Sequence, residues 1–577
     1  MKLNLKILKK IYNILDRKQI FSFFILVFIL LMGSVLEIVG IGSIPVFISL
    51  LLEPETLIKK ISSLNLIYLD DLQYIDSKSL IFYSSILIVI FFIIKNLFLT
   101  FAIFYQGSFI RNIKVGLSKK IFKSYLLSNY LFFLSRNSSI TVRTIIVDIG
   151  NSSIYILNII NLLREILVLV AIILLLLLAN FEVAIGLFLF FTTFTMIYYY
   201  LTQKKLYLRS KIIQSLSSSL LKTVNETIGS IKETILLNVG KKQFDEFSNN
   251  IAQSEKLTLI NYIVKSLPRY FLEFLIVSVM ILIILVFTLQ GQEINQIIPF
   301  LSLIVIAALR LVPSFNSISN ALSAQKSTLP SLNHIFKEFS ILKKITQKEK
   351  KNKIEFKKNI KLKKINFSYP NTKKKILNNF SLEINKGQKI GIIGKSGTGK
   401  STLLNIILGL IKPTKGNLYI DDQKINFKNS FWGNTVGYVP QDIYLFDNTI
   451  TENITFGSKK HEIDKKLMVQ VCKTAQIYEH ISSLPKKFET IVGENGHNLS
   501  VGQKQRLGIA RVLYKKPKII ILDEATSSLD QQNEKRFVDS IFRFNPELTI
   551  IFVSHKISAL RRCKLVYDLN KLKYIKN

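Results

Sequence analysis

Gly394, Lys395, Ser396, Gly397, Thr398, Gly399, Lys400, Ser401 and Thr402 form the first stretch of this chain built for chemistry. It contains G-x-x-x-x-G-K-S, follows the apolar run "KIGIIG" and opens the helical run "STLLNIILGL". Glycines at that spacing let backbone N–H groups close around phosphates. Lys400 brings a point charge to the β- and γ-phosphates, and Ser401 brings a hydroxyl able to ligate Mg2+. The helix N-terminus adds its partial positive charge. The second stretch is "KIIILDEATSSLD". Ile519 to Leu522 read as a buried parallel strand that ends in Asp523 and Glu524. A carboxylate at the C-terminal edge of such a strand faces the ligand crevice. Asp523 would hold Mg2+, directly or through water, and Glu524 would polarise the attacking water.

These residues need a parallel sheet to position them, and the second part of the chain supplies the pattern for one. From Ile360 onward, short β-rich runs alternate with helical ones, punctuated by Gly and Pro. Before it, "KKITQKEKKNKIEFKKN" reads as a charged linker. Upstream, apolar runs of spanning length lie near 20–52, 80–106, 152–179, 181–202, 260–289 and 295–315. About 20 helical residues cross the hydrocarbon, so six spans are expected. The basic N-terminus and the basic connections 107–151 and 203–259 belong on the cytoplasmic side. Helical periodicity in those connections extends the spans into the cytoplasm. The slightly acidic stretch "EPETLIKKISSLNLIYLDDLQYIDSK", the Asn180–Phe181 turn and "TLQGQEIN" fall outside. The expected division is 1–335 for the spans and their extensions, 336–358 for the linker and 359–577 for the α/β domain.

Composition agrees with a membrane protein. The chain has 577 residues, 49% of them hydrophobic, and a net charge of +39. That charge would suit a nucleic-acid binder, but the lysines follow no single stripe and run along the whole chain. They read as solvated residues on cytoplasmic faces. Cys472 and Cys563 have no metal or disulfide spacing, in keeping with a reducing compartment. The basic N-terminus leads into an apolar run too long for a signal peptide, so it reads as an elbow before a retained span.

"NLSVGQKQRLGIARVLYKKPKIIILDEATSSLD" resembles the ATP-binding cassette family. With six spans ahead of it, the chain is similar to the exporter architecture of that family. The resemblance implies an α-helical six-span transmembrane domain of exporter type, followed by an α/β P-loop nucleotide-binding domain. Its signature is "LSVGQ", with Val501 where the family usually has Gly; Ser500 and Gly502 would meet the γ-phosphate, beside Gln503. By the same resemblance Tyr369 would stack on adenine, and Gln441 would sense Mg2+ and the attacking water. The loop carrying Gln441 would touch the membrane domain. Asp530 would act in the loop after the acidic pair, and His555 would contact the γ-phosphate. The implied substrate and cofactor are ATP and Mg2+. In this family each ATP lies between the P-loop of one cassette and the signature of another. A chain with one of each would pair as a homodimer of twelve spans with two equivalent sites.

Charges inside the apolar runs point to the cargo. "IIPFLSLIVIAALRLVPSF" is long enough to span, yet it contains Arg310. Such a charge is costly in hydrocarbon and tends to mark a pathway. Counted from the outer ends of their spans at 1.5 Å per residue, Lys95, Arg269 and Arg310 lie roughly 20–28 Å inward. At that shared level they would ring a water-filled cavity suited to an anionic head, arginine being the better phosphate clamp. The competing reading is internal pairing, with Glu37 across helices or between Arg269 and Glu273 along one. Arg164 and Glu165 are adjacent, and adjacent residues do not face each other on a helix. "LPRYFLEF" and "LRLVPSFNSIS" resemble bacterial lipid-linked oligosaccharide flippases. That resemblance implies a polyprenyl-pyrophosphate glycan as cargo, in the bacterial inner membrane. Leu57, Ile58, Ile61 and Leu64 would then form a small external helix beside the lipid, or simply a packed turn. The rivals are export of lipid A, a drug or a peptide, and an ATP-gated channel or sensor.

Overall fold

The computed structural model describes residues 9, 11–12, 15–52, 77–179, 181–289, 294–345, 352–370, 372, 374–427, 430–525, 531–571 and 573–576. Leu57, Ile58, Ile61, Leu64, Asn180 and Asp530 lie outside the described residues, as do the side chains of Arg269 and Arg310. The chain divides into two compact units: 1–126 with 136–344, and 127–135 with 345–577.

The first unit is helical. It opens with the long helices α1 (Arg17–Leu52) and α2 (Ser77–Leu126); the short α3 (Tyr130–Leu134) belongs to the other unit, and the short α4 (Ser138–Arg143) resumes the first. A π-helical turn, Thr144–Asp148, leads into α5 (Ile149–Ala179). Then come α6 (Phe181–Gly229), α7 (Gly240–Leu289) and α8 (Ile294–Ile345). Each of the six apolar runs therefore falls within one long helix, and four of these helices run well past the apolar stretch. By length and composition alone, and among the described residues, Arg17–Leu52, Lys78–Leu126 and Ser138–Leu177 qualify as membrane-crossing.

Side-chain exposure explains how such helices remain stable. On α1, Leu26, Ile29, Leu30 and Gly33 are buried, whereas Phe21, Phe24 and Phe28 are more than 60% exposed. Apolar residues facing outward are disfavoured in water and not in lipid, where every backbone polar group must be satisfied within the helix. The inward side packs closely: Ile41, Val168, Leu169, Ile172, Leu311, Phe315 and Ile318 form one apolar cluster from α1, α5 and α8. Lys95 is half-buried on α2, with its ammonium 4.2 Å from the Phe92 ring centroid. A Cβ added at Gly40 of α1 would stand 3.2 Å from that ammonium.

Arg164 and Glu165 do pair, contrary to the expectation from helical spacing. The Arg164 Nη2 donates to Glu165 Oε1 at 2.7 Å and Nε donates to the same oxygen at 3.1 Å. Helical phase separates the two Cβ atoms, but an arginine stem is long enough to fold back along the helix surface.

Among its described residues the second unit holds two large sheets and a small parallel pair, Asn352–Lys353 with Ser430–Phe431. Its strands include β1 (Asn359–Phe367), β2 (Leu377–Asn385), β3 (Lys389–Ile393), β4 (Lys415–Ile420), β5 (Gln423–Lys424), β6 (Val436–Val439), β7 (Ile519–Asp523), β8 (Thr549–Val553), β9 (Leu565–Asp568) and β10 (Lys573–Lys576). The first sheet, in order β2–β1–β4–β5, is antiparallel. The second, in order β10–β9–β3–β8–β7–β6, is parallel except at its β10 edge. Two of the unit's helices matter most for the site. They are α9 (Lys400–Ile407), which follows β3, and α10 (Val501–Tyr514), which opens at the LSVGQ stretch.

Strand pleat sends these two helices to different faces. Side chains alternate across a strand with period two. On β7, Ile519 and Ile521 join the apolar core that contains Leu403, Leu404, Ile406 and Ile407 of α9. Ile520 and Leu522 join the other core, with Leu507, Ile509, Ala510 and Leu513 of α10. The same alternation holds on β8, with Ile551 and Val553 on the α9 side and Ile550 and Phe552 on the α10 side. The loop that opens α9 and the loop that opens α10 thus belong to helices packed on opposite faces of one sheet.

Candidate active site

The loop between β3 and α9 is shaped by its glycines. Gly399 has φ +93°, in the left-handed region, and a Cβ there would come within 2.8 Å of Ile376. An L-residue at that position would meet both the strain and the clash. The loop is also held by its own side chains: Thr398 Oγ1 donates to the Lys395 carbonyl at 2.9 Å. Ser401 is exposed on the first turn of α9, while Thr402 is buried behind it.

Lys400 is 7% exposed, and its ammonium is well satisfied. It donates to the Gly394 carbonyl at 2.8 Å and to the Lys395 carbonyl at 3.2 Å. Glu524 Oε1 lies 3.9 Å away, and His555 Nε2 lies 3.1 Å away. His555 Nε2 is also 2.6 Å from Glu524 Oε1. One ring nitrogen cannot donate to a carboxylate and accept from an ammonium at once. The shorter contact assigns the proton to Nε2, which donates to Glu524. Burial pulls the Lys400 pKa down, opposed by the charges of Glu524 and Asp523.

Sheet register explains why residues so distant in sequence converge. β3, β8 and β7 are parallel neighbours, with Asp523 opposite Val553 and Val553 opposite Ile392. Glu524 and His555 follow directly off the ends of β7 and β8, beside the loop after β3. Glu524 has φ +52°. Left-handed backbone costs a non-glycine residue roughly 1–2 kcal/mol. Here its N–H donates to the Val553 carbonyl at 3.0 Å, which helps hold that turn.

Asp523 is 6% exposed and receives a hydrogen bond from the Tyr438 hydroxyl at 3.1 Å. Burial raises its pKa; the Tyr438 bond opposes the rise and the neighbouring Glu524 charge adds to it. Tyr438 lies on β6, next to β7, and burial raises its own pKa. Sequence reading passed over this tyrosine, since alternation marks it only as a strand residue.

For Mg2+, the donor set is one buried carboxylate and one exposed hydroxyl on a helix's first turn. Magnesium is commonly held by one or two carboxylates together with substrate phosphates. Among the described residues no cluster of three His, Cys, Asp or Glu could hold a metal unaided, which suits an ion that binds with the nucleotide. Asp523 and Ser401 therefore fit it.

Among the described residues, Tyr369, Gln441 and Ser500 make no hydrogen bond or ion pair to Lys400, Glu524 or His555. The Tyr369 hydroxyl is 3.1 Å from Thr402 Oγ1, and its ring sits edge-on to Phe367 at 5.1 Å. Gln441 is exposed in the turn after β6. Two residues on, Ile443 packs against Gly508 of α10 so closely that a Cβ there would stand 2.4 Å away. Ser500 caps α10: it accepts from Gln503 N–H at 3.3 Å, while Gln503 Oε1 accepts from Ser500 N–H at 2.8 Å. That capping box uses the serine oxygen as an acceptor and leaves its O–H as a donor. Val501 is 64% exposed, so the branched side chain in place of the usual glycine adds no crowding to its own domain.

Residues 377–527 match the family model described as "ABC transporter". Over 217 residues the chain is 39% identical to the "Lactococcin-G-processing and transport ATP-binding protein LagD" of Lactococcus lactis subsp. lactis, covering 37% of this chain and 30% of that one. Over 208 residues it is 38% identical to the "ATP-dependent lipid A-core flippase" of Coxiella burnetii, covering 36% and 35%. The chain thus spans about a third of the length of these curated relatives. In fold it is similar to a solved protein described as a "bacterial Atm1-family ABC exporter with ATP bound", with a TM-score of 0.73 and 19% identity, covering 96% of this chain and 93% of that one. The chain thus shares the fold of that solved exporter, a helical N-terminal region with apolar helices of membrane-crossing length followed by a P-loop α/β domain that matches the ABC transporter model.

Proposed function

We propose that the chain is an ATP-driven exporter of the flippase kind, working as a homodimer. The observation that carries this reading is the convergence of Lys400, Glu524 and His555 at the ends of three neighbouring strands. A lysine for phosphate, a carboxylate for water and a ring N–H for the leaving charge are the parts that phosphoanhydride hydrolysis needs. Glu524 takes the proton of the attacking water. Lys400 and His555 hold the γ-phosphate as the β–γ bond breaks and ADP leaves. Asp523 and Ser401 would hold Mg2+, which when bound would supply neutralisation of phosphate charge.

The two faces of the sheet support the homodimer. The Ser500 loop opens a helix on the face opposite the P-loop helix, so a sandwich of ATP between P-loop and signature calls for a second copy. Two copies give two equivalent sites. ATP favours the closed pair, and closure biases the spans toward the outward state. A gated channel or sensor has less need of an intact Glu524, so the pump reading is preferred.

The cargo we propose is an amphiphile with an anionic head, a polyprenyl-pyrophosphate glycan being the leading candidate, moved across a bacterial inner membrane. Lys95 supports this reading: it is a half-buried cation on a helix of spanning length. Membrane lipids are the second partner, and nucleic acid is not one. Relatives described as a lipid A-core flippase and a lactococcin transporter keep other amphiphiles and peptides as a second reading. Stimulation of ATPase activity by lipid-linked glycans, lipid A, peptides or drugs separates them. With the glycan as cargo, Lys95→Ala and Arg310→Ala are expected to cut flipping in proteoliposomes at least tenfold, while basal ATPase activity persists. Flipping at the unsubstituted rate in both variants would refute the cationic-cavity reading.

A further inference from the structure

Residues 127–135 interrupt the first unit and belong to the second. Within that second unit Leu131, on α3, packs against the apolar core that also holds α9. The stretch has its own local order, with Asn129 capping α3 by accepting from Phe132 N–H at 3.0 Å. It is a short excursion with two roots, Tyr125 on one side and Arg136 on the other, both in the first unit.

Both roots are tied to the same side chain. Glu338, on α8 and 1% exposed, accepts from the Tyr125 hydroxyl at 2.9 Å. It also accepts from both terminal nitrogens of Arg136, Nη2 to Oε2 at 2.9 Å. A bidentate guanidinium–carboxylate pair is among the stronger and more directional contacts available. Tyr125 is 3% exposed, so its hydroxyl has little access to water in place of the Glu338 carboxylate. Glu338 stands about two turns before α8 ends at Ile345, where the chain passes into the second unit.

The clamp is backed by a further set of buried polar groups. Thr144 Oγ1 lies 3.1 Å from His334 Nε2, one turn before Glu338 on α8. Asp148, with no exposed surface, accepts from Arg143 Nε at 3.1 Å and from Gln214 Nε2 of α6 at 2.9 Å. Arg143 also donates to Ser218. This set is centred on the π-helical turn Thr144–Asp148; such turns occur mostly where a helix has a task that regular geometry does not serve. Nucleotide hydrolysis uses none of these groups.

We infer that Glu338 is a positioning residue for coupling: it fixes both roots of the 127–135 excursion to the helix that leads into the nucleotide-binding domain. Nucleotide-driven movement of that domain then reaches the helical unit through two covalent routes held at one carboxylate. The inference rests on the exporter reading and deepens it.

The test uses the full chain in lipid nanodiscs, with hydrogen–deuterium exchange and ATPase activity measured on the same samples. In Glu338→Ala, exchange of peptides spanning 124–140 without nucleotide is expected to rise at least tenfold. The difference in exchange of α5 and α8 between MgATP and MgADP is expected to fall at least fivefold. ATPase activity stays within about threefold. Glu338→Gln keeps an acceptor for Tyr125 and restores part of both effects, and Tyr125→Phe frees one root in a chain certain to keep its charges. Unchanged exchange at 124–140 in Glu338→Ala, or an intact nucleotide response in both Glu338→Ala and Tyr125→Phe, overturns the inference. If the unsubstituted chain shows no nucleotide response, the exporter reading fails, and the nucleotide-free exchange still decides whether Glu338 clamps the roots.

Discussion

Glu524→Gln is expected to lower ATP turnover by about 10²–10⁴-fold, the usual worth of a general base, while MgATP binding survives. The substitution keeps the shape and an acceptor oxygen for the His555 N–H at the 2.6 Å contact. It removes only the group that takes the proton from water. The left-handed backbone at this position is unaffected, since Gln and Glu have the same backbone requirements. Steady-state phosphate release and equilibrium nucleotide binding, measured on one preparation, check both halves. Turnover within a few-fold of the unsubstituted chain would move the base elsewhere.

Lys400→Ala is expected to act one step earlier, on binding. The ammonium is buried against two loop carbonyls and two strand-end residues, so its loss removes a charge from a site where water substitutes poorly. Truncating one partner of a buried, hydrogen-bonded charge pair costs about 2–5 kcal/mol, which is roughly 30- to 4,000-fold in Kd. Arginine should not rescue, because a planar fork cannot reproduce a point donor between the Gly394 and Lys395 carbonyls. Titration with a fluorescent ATP analogue gives the answer directly. Unchanged affinity would show that the loop's backbone alone holds the phosphates.

Sequence made some of this legible and not the rest, for physical reasons. The P-loop and the acidic strand end are local: residue type and spacing over a few positions fix both backbone conformation and chemistry. The six apolar runs are likewise local, because about 20 apolar residues answer one condition, the thickness of hydrocarbon. Tyr438 was invisible, since its partner Asp523 lies in another strand and only sheet register brings them together. Glu338 was hidden for the same reason, as its two partners lie more than 200 residues upstream. Arg164 and Glu165 were misjudged because helical phase describes Cβ atoms, not the reach of a long side chain. The "IIIL" run showed that β7 is buried, but only the structure shows that alternate residues serve different helices.

Pairing of two chains across the nucleotide is the central claim, and a cross-link tests it most directly. Ser396→Cys in the P-loop and Val501→Cys in the signature place thiols at two exposed positions, while Cys472 and Cys563 are buried. Disulfides form only when Cα atoms approach within about 7 Å. In a Glu524→Gln background, mild oxidation with MgATP should yield a covalent dimer on a non-reducing gel, and oxidation without nucleotide should yield far less. A link formed within one chain, or a chain that hydrolyses ATP as a monomer and never cross-links to a second copy, would contradict the account.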